Sequence, residues 1–177
     1  SQVIFIDIQD KLVDVMPKSE IKKVIDASSM LIQAAKILDV PCLYTEQYPK
    51  GLGTTVKKLK SLLPHPPIEK KTFSCLDEPK FKSALVKSRP QIILCGLETH
   101  ICISQTCHGL LAQGYKAVVC PDAVSASTQD RHKLGMERLR DAGIIPAHTE
   151  AIAYEWMRTA DDTRFKAMLK LVKESEF

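Results

Sequence analysis

The sequence predicts an α/β fold: three layers, with a mostly parallel, Rossmann-like sheet covered by helices on both faces. Three observations lead there. Short apolar runs at 3–8, 41–45, 92–95, 116–120 and 144–147 are separated by stretches of helical periodicity. Strands that alternate with helices build parallel sheets buried on both sides. The run at 92–95 also passes through Gly96 straight into a helix start, the strand-to-helix step at which such sheets bind ligands. A length of 177 residues fits one domain, 1–177, with a sizeable core.

In chain order, the first strand carries Asp7 near its end. Residues 21–38 then read as an amphipathic helix, with Val24, Ile25, Leu31, Ile32, Ala35 and Leu38 on one side. After the strand at 41–45, residues 46–53 form a loop broken by Pro49, Gly51 and Gly53. A short helix at 54–63 leads to a stiff connector at Pro64, Pro66 and Pro67, followed by Lys70 and Lys71. Residues 79–88 read as helix. The central strand at 92–95 should end at Gly96, with Thr99 as N-cap of the next helix. The strand at 116–120 ends at Pro121-Asp122, and 127–130 has the pattern of a capping box opening a helix to Ala142-Gly143. A last short strand at 144–147 and a helix at 161–174 complete the chain.

Composition narrows the function classes. The chain is 45% hydrophobic with a net charge of +4, and it has no dense Lys/Arg block to serve as a phosphate stripe. A nucleic-acid partner is therefore not expected, nor is a membrane one, since no apolar run is long enough to cross a bilayer. The expected partner is a small-molecule substrate. Dinucleotide and P-loop glycine motifs are absent. The six cysteines form no C-x-x-C pair, and the histidines do not complete a zinc pattern. Cys42, Cys95 and Cys120 read as buried free thiols, which suits a reducing, cytoplasmic setting. The chain starts at Ser1 without methionine, so a mitochondrial or other targeting segment remains open.

The residues with chemical potential gather at strand ends. Asp7 is a carboxylate in an apolar strand, either an exposed terminus or a buried group that needs a partner. Cys102 falls in the first turn of a helix, where unpaired N–H groups and the helix dipole favour a thiolate. It is expected to have a lowered pKa and to alkylate fastest of the six. Lys70 offers a partner for Asp7, with Lys71 beside it as the competing choice. His100 is a poor base for Cys102, because residues two apart on a helix do not face each other. His65, His108, His132 and His148 read as surface or core residues, and Asp122 as a cap. Glu46 and Tyr48 either line a pocket or belong to a solvated loop, and Trp156 reads as packing.

The motifs also fall in the order of a known family. Phe5-Ile6-Asp7-Ile8-Gln9, Glu69-Lys70-Lys71-Thr72-Phe73-Ser74 and Gly96-Leu97-Glu98-Thr99-His100-Ile101-Cys102-Ile103 together resemble the isochorismatase-like cysteine hydrolases over nearly the whole chain. The stretch from Thr45 through Glu46, Gln47 and Tyr48 to Gly53 is similar to the isochorismatase domain-containing subgroup, whose substrates are mostly unassigned. The resemblance implies a catalytic triad of Asp7, Lys70 and Cys102, with Lys70 chosen because it lies three residues before Phe73. It implies an oxyanion hole from the backbone N–H groups of Glu98 and Cys102, and a cis peptide at Leu97–Glu98. Gln9, Glu46, Tyr48 and Phe73 are the expected pocket residues.

The implied activity is hydrolysis of a small amide or related C–N bond, with no cofactor. The loop at 46–53 has no histidine for the metal cluster of nicotinamidases, so no metal is expected. A cysteine at the nucleophile position favours acyl transfer over vinyl-ether cleavage. A homo-oligomer is implied, with Leu110, Leu111 and Met136 as candidates for a shared face. Two rival readings stand beside this one: a binding or scaffold protein of the same fold without turnover, and an RNA-acting protein or ribonuclease.

Overall fold

The computed structural model describes residues 1–63 and 66–175. Pro64 of the expected connector and His65 lie outside the described residues. The strands are β1 (Gln2–Ile6), β2 (Cys42–Gln47), β3 (Ile68–Lys70), β4 (Gln91–Leu97), β5 (Lys116–Ser125) and β6 (Ile145–Pro146). They form one parallel sheet in the order β3-β2-β1-β4-β5-β6. The chain builds outward from β1 on one side, then returns to place β4 on the other. The switch point therefore lies between β1 and β4, and ligands of open α/β sheets bind beyond the carboxyl ends of strands at that point.

Helices follow in chain order as α1 (Asp10–Asp14), α2 (Lys18–Ile37), α3 (Pro49–Leu52), α4 (Lys57–Lys60), α5 (Pro79–Ala84), α6 (Ser104–Ala112), α7 (Gln129–Asp141), α8 (Thr149–Met157) and α9 (Phe165–Glu174). Alternation along β1 divides the core. Val3 and Phe5 face Val24 and Leu31 of α2 and Ile152 of α8. Ile4 and Ile6 face Phe81 of α5, Cys107 and Leu110 of α6, and Met136 and Leu139 of α7. Successive strand residues point to opposite faces, so a strand buried on both sides must be apolar throughout, as β1 is. The expected three-layer architecture is present. Leu110 and Met136 are core residues within one chain, so neither is available for a face shared between subunits.

Several boundaries differ from the sequence reading, each for a local reason. β4 continues through Gly96 to Leu97, and β5 runs past Pro121 to Ser125, because a register irregularity between Leu94 and Gly96 lets the ladder resume at Val124. A proline is tolerated at such an irregularity, where no ladder N–H is required. β3 has only three residues and sits at the sheet edge, too short for a periodic signal. α8 is a helix the sequence reading omitted; Asp122 holds its start by accepting from the Thr149 N–H at 3.2 Å. The capping box is displaced by one residue, since Thr128, not Ser127, accepts from the Arg131 N–H.

The turn after β4 departs most from expectation. Thr99 does not cap a helix; its hydroxyl pairs with His132 Nδ1 on α7 at 3.0 Å. Glu98 occupies the cap position at φ 58°, and Thr99–Ile103 forms a π-helical turn. The Ile103 N–H reaches back five residues to the Glu98 carbonyl at 3.4 Å. No peptide bond among the described residues is cis, which corrects the expectation for Leu97–Glu98. The chain reverses here by rotation at Gly96 (φ 141°) and Glu98 (φ 58°). That route avoids the ~3 kcal/mol of a non-proline cis bond.

Gly96 also sets how closely β1 and β4 approach. A Cβ at this position would lie 2.2 Å from the Ile6 carbonyl oxygen and 2.8 Å from its nitrogen, and backbone cannot yield as a side chain can. Gly96→Ala is therefore expected to lower stability by about 3 kcal/mol or more, read as a shift in the urea midpoint.

Candidate functional site

Three strand ends bring the site together. Asp7 follows β1 in the left-handed region (φ 55°), and this turn directs its carboxylate inward, fully buried. Lys70 is the last residue of β3 and is 2% exposed. Its Nζ donates to Asp7 Oδ2 at 2.7 Å, Gln47 Oε1 at 2.6 Å, and the carbonyls of Thr72 at 3.1 Å and Phe73 at 3.3 Å. Four acceptors around one ammonium provide what a buried cation needs. Lys71, in contrast, is exposed. Strand alternation separates the two lysines and decides between them.

The carboxylate is shared. Thr45 donates its hydroxyl to Asp7 Oδ1 at 2.7 Å while Lys70 holds Oδ2. Parallel register accounts for both neighbours, since Thr45 lies beside Ile6 and Gln47 beside Lys70. Cys102, in the π-helical turn after β4, is 6% exposed and lies near enough to Asp7 and Lys70 for both charges to act on its thiol. The three residues expected to converge do so at the carboxyl edge of the sheet.

The electrostatics correct one expectation. Burial raises the Cys102 pKa, the nearby Asp7 charge and hydrogen bond raise it further, and Lys70 only partly offsets them. The raised pKa makes the resting side chain a neutral thiol. Helix-start logic fails here because the turn is buried and an anion stands nearer than any free helix terminus. Burial also opposes the Lys70 ammonium, but Asp7 and the two nearby cysteines outweigh it and hold the Lys70 pKa above the ordinary lysine value. The Cys75 thiol, touching Thr45 and Thr106, is pushed up to about 12 by burial.

The expected pocket residues divide. Gln9 is fully buried and clamps the loop, donating to the carbonyls of Gln47 at 3.0 Å and Gly53 at 2.7 Å and accepting from the Gln47 N–H. Glu46 is likewise buried and accepts from the Thr55 N–H at 2.7 Å and its hydroxyl at 2.9 Å. Both brace the segment carrying Tyr48 and do not line a cavity, which corrects their assignment. Tyr48 is 50% exposed and borders a cleft of about 650 Å³, together with Pro49, Lys50, Lys70, Lys71 and Thr72. Phe73 is 54% exposed just past that wall. Of the three converging residues, Lys70 alone borders the cleft. His100 Nδ1 lies 3.2 Å from Glu98 Oε2, without hydrogen-bond geometry between the two atoms, and α7 packs on its backbone at Gly135.

Sequence reasoning missed Thr45, Gln47 and Cys75 as neighbours of the triad. The signal for the first two was their register beside β1 and β3, which is visible only once the strand order is known. Among the described residues no group of three or more His, Cys, Asp and Glu side chains is placed to hold a metal, and no helix is long and apolar enough to cross a membrane.

Sequence and fold are both matched among known proteins. The model of the isochorismatase domain matches residues 1–151. The chain belongs to the isochorismatase family. It is 36% identical over 162 residues to the secreted isochorismatase effector Isc1 of Phytophthora sojae, covering 88% of this chain and 77% of that protein. It is 37% identical over 152 residues to isochorismatase domain-containing protein 2 of Danio rerio, covering 84% and 76%. A solved structure described as MAR1 ribonuclease from Caenorhabditis elegans is 33% identical, covers 99% of this chain and 91% of that one, and superposes with a TM-score of 0.92.

Two outcomes are expected from the site's geometry. Lys70→Met leaves Asp7 buried without its cation, and removing one partner of a buried pair costs about 3–5 kcal/mol. Adding Asp7→Asn should recover part of that loss; urea melts of the three variants test it. Because the Cys102 pKa is raised, its thiolate fraction at neutral pH is small. The rate of Cys102 alkylation by iodoacetamide should then climb about tenfold per pH unit from pH 7 to 9. Asp7→Asn removes the charge that adds to burial in holding the proton on sulfur, so it should speed alkylation at pH 7. A pH-independent rate, or slower labelling in Asp7→Asn, contradicts the thiol assignment; peptide mass mapping gives the readout.

Proposed function

We propose that this chain is a cysteine hydrolase that opens a small amide or related C–N bond through Asp7, Lys70 and Cys102. The observation that carries the reading is one buried carboxylate held by the Lys70 ammonium, with the Cys102 thiol near enough to feel both charges. A weak nucleophile needs a base beside it and a third group to orient that base, and the Asp7–Lys70 pair supports that reading. Family membership supports hydrolase chemistry.

In the first half-reaction the Cys102 proton moves to Asp7 as sulfur bonds to the amide carbon. The carbonyl π electrons move onto oxygen, which accepts from the backbone N–H groups of Glu98 and Cys102. A donor of that kind contributes about 10²–10³ in rate. The C–N bond then breaks and Asp7 returns its proton to nitrogen, leaving a thioester and a free amine. In the second half, water gives a proton to Asp7 while its oxygen attacks the thioester. The C–S bond breaks, the acid departs and Cys102 regains its proton. Lys70 remains charged throughout, so the Asp7 carboxylate keeps its orientation and the site never carries an uncompensated anion.

A panel of small amides assayed with wild type and Cys102→Ala tests the reading. Turnover should fall by about a thousandfold or more in Cys102→Ala, and intact mass should show an acyl adduct on Cys102 during wild-type turnover. Hydrolysis that survives Cys102→Ala, or adduct formation elsewhere, overturns it. A second reading, ribonuclease action, draws on the description of the Caenorhabditis elegans structure. Phosphodiester cleavage has no need for a thioester, so RNA hydrolysis undiminished in Cys102→Ala would decide for it.

A further inference from the structure

Resting on the amide-hydrolase reading, we propose that the cleft above Lys70 is an anion subsite in which Lys50, Lys71 and Lys80 bind a carboxylate carried by the substrate. The substrate class is then the monoamide of a short dicarboxylic acid, or a small amide of equivalent charge. Three separate elements supply the lysines. Lys50 lies on α3, directly after the left-handed turn at Tyr48. Lys71 follows the last residue of β3, and Lys80 lies in the first turn of α5. All three border the same cleft of about 650 Å³, and Lys70 borders it too. That volume is within the range of small-molecule pockets, about 300–1,000 Å³.

Charge decides the class. Among the described residues, none of these three ammonium groups has a carboxylate within ion-pair distance. Lysines elsewhere do find partners: Lys22 and Lys58 both hold Asp26, at 2.9 and 2.5 Å. Two carboxylates also line the cleft. Glu78 accepts from the Lys80 N–H at 3.2 Å and so is engaged at the start of α5. Glu69 is exposed on the edge strand, on the opposite side from buried Lys70. The Lys70–Asp7 pair is neutral in sum, so the lining retains a positive surplus. The cleft has the volume of a small-molecule pocket, which favours a small anion over a polymer. Lys70, the site residue that borders the cleft, links it to Asp7 through their ion pair.

The test compares succinamate with its neutral isostere butanamide and the cationic 3-aminopropanamide. Wild type should prefer succinamate to butanamide by at least about tenfold in kcat/KM. The double charge reversal Lys71→Glu/Lys80→Glu should reduce that ratio by about tenfold or more, and high salt should reduce it in the wild type. Equal turnover of the three amides, or a ratio unmoved by the reversal, overturns the proposal. Calorimetric binding to the Cys102→Ala protein separates this from failure of the amidase reading. If no amide is hydrolysed, succinamate should still bind more tightly than butanamide and lose that advantage on charge reversal. A fluorescein-labelled RNA oligonucleotide that binds steeply salt-dependently, needs the same lysines and is not displaced by succinamate would overturn the small-anion assignment.

Discussion

The buried Asp7–Lys70 ion pair is the constraint around which the carboxyl edge of the sheet is arranged. Removing two charges from water costs several kcal/mol per ion, and attraction between them repays this only when the remaining lone pairs and protons also find partners. Here they do. Thr45 takes the free carboxylate oxygen; Gln47 and two carbonyls take the rest of the ammonium. Thr45 and Gln47 are placed by parallel register, so an error of one residue in β2 or β3 would turn a side chain to the wrong face. The short β3 is worth forming for this reason. Three residues of edge strand contribute little pairing energy, but they carry Lys70 across β2 to Asp7.

The second cost is in the backbone, and it falls at the same edge. Asp7, Tyr48 and Glu98 follow β1, β2 and β4, and all three have positive φ without being glycine, at 55°, 38° and 58°. Each such residue costs on the order of 1–3 kcal/mol. Strain at three neighbouring strand ends marks this edge as the place where the fold gives up stability. The two-sided apolar core of β1 and β4 offsets it. The strain has a geometric use: an extended residue at Asp7 would continue the strand, whereas the left-handed turn brings its carboxylate under Lys70 and beside Cys102.

Much of this was legible in the residues. Alternating apolar strands and periodic helices gave the layers, because these are signals of period, whereas grouping Asp7, Lys70 and Cys102 came from the family resemblance of the motifs that carry them. What was not legible depends on tertiary order. β3 was hidden by its brevity, and α8 by the lack of a cap visible before Asp122 was seen to hold Thr149. The π-helical turn could not be read because Thr99, a good cap by type, is claimed by His132 on a distant helix. Gln9 and Glu46 looked like pocket residues because they flank a loop, yet a buried polar side chain can just as well satisfy that loop's own backbone. Lys70 and Lys71 are adjacent and chemically identical; the family resemblance favoured Lys70 by its spacing from Phe73, and the burial pattern of β3 gives the physical reason.

The raised Cys102 pKa changes how the site must be understood. A nucleophile prepared as a thiolate would place a second anion beside Asp7 in a buried region holding one cation, and burial already opposes it. Holding the proton on sulfur keeps the resting site neutral in sum. In the proposed reaction the same carboxylate that raises the pKa is also the acceptor of the proton, so the feature that disfavours free thiolate shortens the path of transfer. In that proposal the negative charge passes from sulfur to the substrate oxygen as sulfur bonds to carbon, and the repulsion that held the proton in place is relieved as the transition state forms. A shift that seems adverse in the ground state is thus one the reaction itself removes, which is the requirement for an interaction to accelerate chemistry.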